Sequence, residues 1–250
     1  MSAYWPYPRV IAHRGGGGLA PENTLAAIRT GAQRGFSGVE FDVMLSRDSV
    51  PVLIHDDTLE RTTNGTGAVA NAAWTDLSAL DAGCWFGPAF AGEPLPRYAD
   101  AARLCVDLGL WANVEIKPAS GFEHETGNVV AAMSAELWRA APVAPLLSSF
   151  SIDALEAAAA AAPGLVRGLL VEAIPDDWRE AVARLSCVSL HCSFKHLTRV
   201  QARAVKDAGY ALLCYTVNDP ATAKELFGWG VDAVVTDRLD PVLPELGVSV

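Results

Sequence analysis

Ionisable side chains recur in this sequence at the ends of short apolar runs. His13 and Arg14 close the first run, and Glu40 and Asp42 alternate with apolar residues in the second. The i, i+2 spacing points both carboxylates to one face of a strand. Two carboxylates on one face repel each other and are costly to bury unless a cation or a proton lies between them. These residue types at this spacing indicate metal binding or acid–base chemistry.

Two later segments add residues of the same types. His55 ends another apolar run, Glu115 ends a third, and Lys117 follows Glu115 on the same face. Glu40, Asp42 and Glu115 would then be three hard oxygen ligands from neighbouring strands, a set that suits Mg²⁺ or Ca²⁺. No HxH or HExxH spacing supports a zinc site.

Each of these residues, taken alone, also has a structural explanation. A lone histidine at a strand end is more often a satisfied structural residue than a catalytic one. An inward carboxylate could be paired with Arg14 or Lys117 with no metal present. Two histidines, three carboxylates, an arginine and a lysine converging on one edge of a sheet are harder to explain in that way, and together they favour a catalytic site.

The elements that must position these residues alternate between apolar strands and helical patterns from end to end. Eight strands are predicted, at Val10–His13, Val39–Val43, Ala112–Ile116, Leu146–Phe150, Val166–Val171, Val188–His191, Ala211–Val217 and Ala233–Thr236. Eight helices are predicted, at Thr24–Arg34, Tyr98–Leu108, Glu123–Ala140, Ile152–Ala161, Asp177–Leu185, Thr198–Asp207, Pro220–Gly228 and a short C-terminal turn. Eight of each is the number that closes a (β/α)₈ (TIM) barrel, whose active sites lie at the C-terminal ends of the strands.

One apolar run does not fit this alternation. Pro51–His55 follows the second strand after too few residues for a helical crossover, so it predicts an antiparallel hairpin around Arg47 and Asp48. With the turn centred there, the numbers of paired residues add up to about 95. His55 is then expected opposite Glu40.

A long segment of residues 57–96, here called the insertion, follows this hairpin. It is rich in Gly, Thr and Asn and carries several aromatic residues. Loops of this length inside a compact domain are usually functional. We therefore expect a single catalytic domain over residues 1–250, with the insertion as a subdomain that caps the barrel mouth.

The composition of the 250-residue chain excludes several classes of function. A net charge of −10 argues against binding to nucleic acid or to an anionic membrane, because both depend on clustered Lys and Arg. No apolar run approaches the roughly 20 residues of a membrane span, so no stable membrane insertion is expected. The N-terminal residues show no basic segment followed by a long apolar stretch, so no signal peptide is expected.

The five cysteines are odd in number, and none forms a CxxC pair. This usage predicts free thiols in a reducing cytoplasm rather than a disulfide framework. The sequence gives no indication of an oligomeric partner.

Longer stretches of the sequence resemble one known family. In chain order these stretches are HRGGGGLAPENTLAAI, GVEFDVMLSRDSVPVLIHDDTLERTTNGTG, LPRY, NVEIKP, YTVND and GVDAVVTD. These stretches are similar to the bacterial glycerophosphodiester phosphodiesterases of the cytoplasmic type, and the match as a whole runs from Ile11 to Asp237. The resemblance implies a (β/α)₈ barrel with an insertion after the second strand. It also implies hydrolysis of small glycerophosphodiesters to sn-glycerol 3-phosphate and an alcohol.

The same resemblance assigns roles to the polar residues found above. It implies His13 and His55 as the acid–base pair, Arg14 and Lys117 as phosphate ligands, and Glu40, Asp42 and Glu115 as ligands of a divalent cation. Tyr215 stands where relatives often carry Trp, which bears on the shape of the alcohol or glycerol pocket.

Several further residues have weaker indications. Glu22 could brace the histidine or arginine of the first strand, and Tyr215 and Asp237 lie at late strand ends where they could support the site. Asn23 and Thr24 follow a proline and predict a helix N-cap. The remaining histidines have no partner pattern and are expected to be structural or exposed: His124, His191 and His196.

The nucleophile and two other functions stay open at this point. The glycerol 2-hydroxyl could attack, giving a cyclic phosphate that water later opens, or metal-bound water could attack directly. A phospholipase-type lyase on the same barrel would show an exposed apolar or basic rim and usually a secretion signal, and neither is evident. A non-catalytic phosphate-binding barrel would need Arg14 and Lys117, but not both His13 and His55 beside three carboxylates.

Overall fold

The structure, a computed structural model, describes residues 5–240. Its strands are β1 Val10–Ala12, β2 Gly38–Leu45, β3 Pro51–Leu53, β4 Trp111–Ile116, β5 Leu146–Ser149, β6 Val166–Val171, β7 Ser189–Ser193, β8 Ala211–Tyr215 and β9 Ala233–Thr236. Its α-helices are α1 Leu25–Gln33, α2 Trp74–Leu77, α3 Tyr98–Asp107, α4 Glu123–Leu137, α5 Ile152–Ala161, α6 Trp178–Arg184, α7 Arg199–Asp207 and α8 Pro220–Gly228.

Eight parallel strands form a closed barrel. Their order is β1-β9-β8-β7-β6-β5-β4-β2, and β1 closes the ring by pairing with β2, where Ala12 lies opposite Val39. The predicted (β/α)₈ barrel is confirmed, with the strands within a few residues of their expected bounds. The predicted short C-terminal turn lies outside the described residues.

The side chains of β2 point alternately into the hydrophobic core of the protein and into the barrel interior. Val39, Phe41 and Val43 are fully buried in the hydrophobic core that also contains Tyr98 of α3 and Ile28 of α1. Successive side chains of a strand point to opposite faces. The intervening residues of β2 therefore point into the barrel, which places its two carboxylates there.

The predicted hairpin is confirmed, but its expected register is wrong by one residue. Strand β3 is antiparallel to β2, with Val43 opposite Leu53 and Met44 opposite Val52, so the paired numbers add up to 96. The turn is one residue longer than expected because Ser49 adopts a left-handed conformation, with φ at 59°. Strand β3 ends before His55, which is therefore not paired with Glu40.

The insertion builds a small hydrophobic core of its own on this hairpin. Its apolar residues pack together with one face of the hairpin, and the cluster comprises Met44, Val52, Ile54, Leu59, Val69, Leu77, Ala82 and Leu95. Besides α2, the insertion contains two short 3₁₀ helices, Val69–Asn71 and Pro88–Phe90. The insertion is therefore anchored to the strand that precedes His55.

All five cysteines are free thiols, as expected, and only Cys84 is exposed. Within residues 5–240, no helix is long and apolar enough to cross a membrane.

Candidate active site

One cavity of about 180 Å³ opens at the C-terminal ends of the barrel strands, and it brings the predicted residues together. Seven predicted polar residues line it: His13, Arg14, Glu40, Asp42, His55, Glu115 and Lys117. They come from the end of β1, from β2, from the residues after β3 and from β4. Elements far apart in the sequence thus converge on one space.

Three carboxylates form a tight cluster in this cavity. One oxygen from each of Glu40, Asp42 and Glu115 lies within 4.8 Å of the others. Burial and the negative charge of Asp42 raise the pKa of Glu40 to about 7 and that of Glu115 to about 8. Such a cluster of hard oxygen donors fits a divalent cation, which would relieve both burial and repulsion.

Two cationic side chains flank the carboxylates on opposite sides. The Lys117 Nζ lies 3.4 Å from Glu115 Oε1 and 3.8 Å from Asp42 Oδ1. The Arg14 Nε lies 3.6 Å from Asp42 Oδ2, and the Arg14 backbone N–H donates to Glu40 Oε2 at 3.0 Å. Two cationic side chains do not balance the charge of three ionised carboxylates, so the cluster can accept further positive charge.

His13 is held by a carboxylate from the last strand. Its Nδ1 lies 2.6 Å from Asp237 Oδ1, and Asn218 donates to the other Asp237 oxygen at 3.0 Å. Burial alone would lower the pKa of His13, but the hydrogen bond to Asp237 and the charge of Glu40 together raise it above its ordinary value. With Nδ1 engaged, Nε2 is the nitrogen left for chemistry.

His55 has the same arrangement on the other side of the cavity. Its Nδ1 lies 2.6 Å from Asp56 Oδ1, and its Nε2 lies 3.1 Å from Lys117 Nζ. Since the lysine can only donate, Nε2 accepts and the proton sits on Nδ1. Burial lowers the pKa of His55, and the charges of Arg14 and Lys117 add to this effect. Asp56 was not predicted to take part in the site, although its position directly after His55 was a signal.

Asn23 belongs to the site rather than to a helix cap. Its Nδ2 donates to Asp42 Oδ2 at 2.8 Å, and its Oδ1 accepts the Asp42 backbone N–H at 3.1 Å. Thr24 alone caps α1, accepting from the Ala27 N–H at 3.1 Å. The positive φ of Asn23, 58°, turns its side chain away from the helix. The expectation that both residues form the cap is therefore wrong for Asn23.

Glu22 braces the arginine of the first strand rather than the histidine. Its Oε1 accepts from Arg14 Nη1 at 2.5 Å and from Arg61 Nη2 at 2.7 Å. Arg61 lies in the insertion, and it was not predicted as a site residue.

The remaining cavity wall is uncharged. His191 is only 2% exposed, burial lowers its pKa to about 3, and its Nε2 lies 2.8 Å from the Ser189 hydroxyl. A Cβ at Gly168 would come within 2.5 Å of that nitrogen, so only glycine leaves room for the ring. Tyr215 lies in this wall, with its ring 6.0 Å from that of Phe150. His191 is thus a neutral residue of the cavity wall. No sequence pattern indicated that it would line the cavity.

Comparison with known proteins points in one direction. A model of the glycerophosphoryl diester phosphodiesterase family matches residues 13–241. The chain is 33% identical over 233 residues to the glycerophosphodiester phosphodiesterase of Caldanaerobacter subterraneus subsp. tengcongensis. The aligned region covers 91% of this chain and 93% of that relative.

Solved structures agree with these sequence matches. An Oleispira antarctica phosphodiesterase in complex with the product sn-glycerol-3-phosphate superimposes with a TM-score of 0.91 at 39% identity, over 96% of this chain and 97% of that one. A glycerophosphodiester phosphodiesterase from Agrobacterium tumefaciens gives a TM-score of 0.77 at 28% identity, over 94% and 99%.

Proposed function

Because this chain belongs to the glycerophosphoryl diester phosphodiesterase family and is a phosphodiesterase, we propose that it hydrolyses small glycerophosphodiesters to sn-glycerol 3-phosphate and an alcohol. One observation carries this proposal beyond the family: two carboxylate-bound histidines, two cations and a three-carboxylate cluster surround a single cavity. A phosphodiester anion fits that combination, because it needs charge stabilisation together with two proton transfers.

Glu40, Asp42 and Glu115 would hold a divalent cation, Mg²⁺ or Ca²⁺. When bound, such an ion offsets the negative charge that develops on the phosphoryl oxygens. Arg14 and Lys117 face the same space and bind the phosphate from either side of the cluster.

The two histidines carry the proton transfers. One imidazole Nε2 accepts the proton of the attacking hydroxyl as a new O–P bond forms, and the other donates a proton to the departing alkoxide as its P–O bond breaks. Asp237 and Asp56 engage Nδ1 of His13 and His55, which leaves Nε2 of each ring for this purpose. In His55 this Nε2 accepts a hydrogen bond from Lys117. The glycerol 2-hydroxyl is the nucleophile in our proposal, and water opens the cyclic phosphate in a second step.

We propose that the insertion is a capping subdomain within a single domain. We base its role as a capping subdomain on its attachment to the hairpin before His55 and on the contacts that Arg61 makes with Asp56 and Glu22. The described walls of the cavity themselves come from the barrel.

The free thiols suit a reducing compartment, which supports a cytoplasmic location.

A product assay tests the reaction class. The enzyme is incubated with glycerophosphocholine, glycerophosphoethanolamine and glycerophosphoglycerol, each with Mg²⁺ and then with Ca²⁺, and the products are identified by ³¹P NMR. Release of sn-glycerol 3-phosphate from all three substrates is expected. Turnover of none of them, or release of a phosphorylated head group instead, would contradict the proposal.

A substrate analogue tests the nucleophile separately. A diester without the glycerol 2-hydroxyl should hardly react, because it cannot form the cyclic phosphate. Full-rate hydrolysis of this analogue would exclude the cyclic route and leave direct attack by water.

A further inference from the structure

Arg61 makes two bidentate ion pairs at the junction of the insertion and the barrel. Its Nε and Nη2 donate to the two carboxylate oxygens of Asp56 at 2.5 Å and 3.0 Å. Its Nη1 and Nη2 donate to the two carboxylate oxygens of Glu22 at 2.8 Å and 2.7 Å. One planar guanidinium thus fixes the orientation of two carboxylates at once, as a fork of five N–H donors can.

Each of these carboxylates also contacts a residue that lines the cavity. The Asp56 oxygen that accepts from Arg61 Nη2 is also the one that lies 2.6 Å from His55 Nδ1. Likewise, the Glu22 oxygen that accepts from Arg61 Nη2 also accepts from Arg14. Arg61 itself is not among the residues that line the cavity. Any effect it has on the reaction must therefore act through His55 and Arg14.

The fold of the insertion determines where Arg61 lies. Leu59, two residues before it, is buried in the hydrophobic core of the insertion, and its backbone N–H donates to Gly67 at 3.0 Å. Thr63, two residues after it, closes a turn by donating to the Leu59 carbonyl from both its backbone and its hydroxyl. The backbone on either side of Arg61 is thus held by contacts inside the insertion.

We propose that Arg61 is a positioning residue through which the insertion aligns the histidine and the arginine of the active site. Asp56 and Glu22 transmit this alignment to His55 and Arg14. The inference rests on the proposed role of His55 in proton transfer. It adds that the insertion supplies part of the catalytic geometry, in addition to any cover over the cavity.

The exposure of Arg61 separates this role from a contribution to stability. Its side chain is 44% exposed. Ion pairs at that exposure contribute little to the free energy of folding, about 0–1 kcal/mol. Partners that orient a ligand or a catalytic group, by contrast, typically cost about 10- to 100-fold in activity when they are removed.

Arg97, the residue directly after the insertion, offers a matched control. Its side chain is 45% exposed, and it pairs with the carboxylate of Asp100 at 3.0 Å. Neither Arg97 nor Asp100 lines the cavity. Arg61→Ala and Arg97→Ala therefore each remove a similarly exposed arginine that pairs with carboxylates, and of the two only Arg61 is connected to the site.

Steady-state kinetics on glycerophosphocholine test the inference. Arg61→Ala should lower kcat by about 10- to 100-fold with a melting temperature close to that of the wild type, whereas Arg97→Ala should leave kcat unchanged. Arg61→Lys keeps the charge but cannot reach all four oxygens, so it should be intermediate. Added guanidinium ion at millimolar concentration should restore part of the activity of Arg61→Ala, which a general loss of structure would not allow. A kcat within threefold of the wild type for both Arg61 variants would overturn the inference.

A double-mutant cycle shows whether Arg61 acts through Asp56. Arg61→Ala should cost much less in an Asp56→Asn background than it does in the wild type, because the connection to His55 is already broken. Fully multiplicative effects of the two substitutions would contradict the inference. His55→Ala serves as the separate check on the proposed function. Loss of activity in His55→Ala with unchanged Arg61 variants would refute only the inference, and wild-type turnover in His55→Ala would refute the acid–base role itself.

Discussion

The two halves of the cavity wall differ sharply in charge. The wall built by β1, β2, the hairpin and β4, here called the charged half, carries His13, Arg14, Glu40, Asp42, His55, Asn113, Glu115 and Lys117. The wall built by β5 to β9, here called the neutral half, carries Phe150, Leu170, His191, Leu213, Cys214, Tyr215, Thr216 and Val235. Burial keeps even the histidine of the neutral half uncharged.

This difference separates two tasks within one barrel. The charged half contains the residues that we propose hold a cation, bind phosphate and move protons. The neutral half presents mostly apolar side chains to the cavity. A wall of low polarity strengthens the electrostatic interactions on the other side. Substitutions in the charged half should therefore change kcat, and those in the neutral half should change substrate binding or stability.

The largest effect is expected from the histidines of the charged half. Replacing His13 or His55 by Ala should lower kcat by at least ~10²-fold with little change in KM, because proton transfer matters in the transition state rather than in binding. His124→Ala, which removes an exposed histidine on α4, is the control and should behave as the wild type. Wild-type rates in both His13→Ala and His55→Ala would contradict the functional distinction between the two halves.

The barrel and the convergence of the charged half were predictable from sequence. Buried parallel strands leave near-continuous apolar runs, and residues at their C-terminal ends meet at one edge. The hairpin register was predicted one residue out, because the left-handed conformation of Ser49 lengthens the turn and Ser carries no strong signal for it.

Contacts between distant side chains were not predictable. Asn23 reaches Asp42 across 19 residues and Arg61 reaches Glu22 across 39. No periodic pattern in the sequence indicates such contacts. His191 was predicted to be structural or exposed, and it is buried. Its place in the cavity wall was not predicted, because Gly168 on the neighbouring strand creates the space for its ring.

The neutral half gives a prediction about stability and pH. Burial lowers the pKa of His191 from 6.5 to about 3 in the folded protein. As the pH falls below 6.5, His191 binds a proton in the unfolded chain but not in the folded protein. The free energy of unfolding therefore decreases as the pH falls below 6.5. Between pH 6.5 and pH 5 this loss amounts to about 2 kcal/mol.

Urea unfolding at pH 7.5 and pH 5.0 checks this prediction. His191→Gln should lose less free energy of unfolding over this range than the wild type, by about 2 kcal/mol. His124→Gln should follow the wild type. An identical pH dependence for His191→Gln and the wild type would show that His191 is not held neutral.

The smallest effect is expected at the outer edge of the neutral half. Phe150 is 47% exposed and lines the cavity beside Tyr215. Phe150→Ala should raise KM for glycerophosphocholine by roughly 3- to 10-fold and leave kcat within about twofold, because the lost contact is equal in ground and transition states. Ile152→Ala, exposed nearby but outside the cavity lining, is the control. A fall in kcat with unchanged KM would place Phe150 in the chemistry instead.

Hydrolysis of glycerophosphocholine before and after metal removal tests the central claim most directly, namely that the charged half works around a divalent cation held by Glu40, Asp42 and Glu115. Exhaustive EDTA treatment and dialysis should abolish turnover, and Mg²⁺ or Ca²⁺ should restore it. Glu115→Gln should need a higher metal concentration for the same recovery while remaining folded, since it removes one carboxylate charge at nearly constant volume. Undiminished turnover by the dialysed wild-type enzyme would contradict the claim.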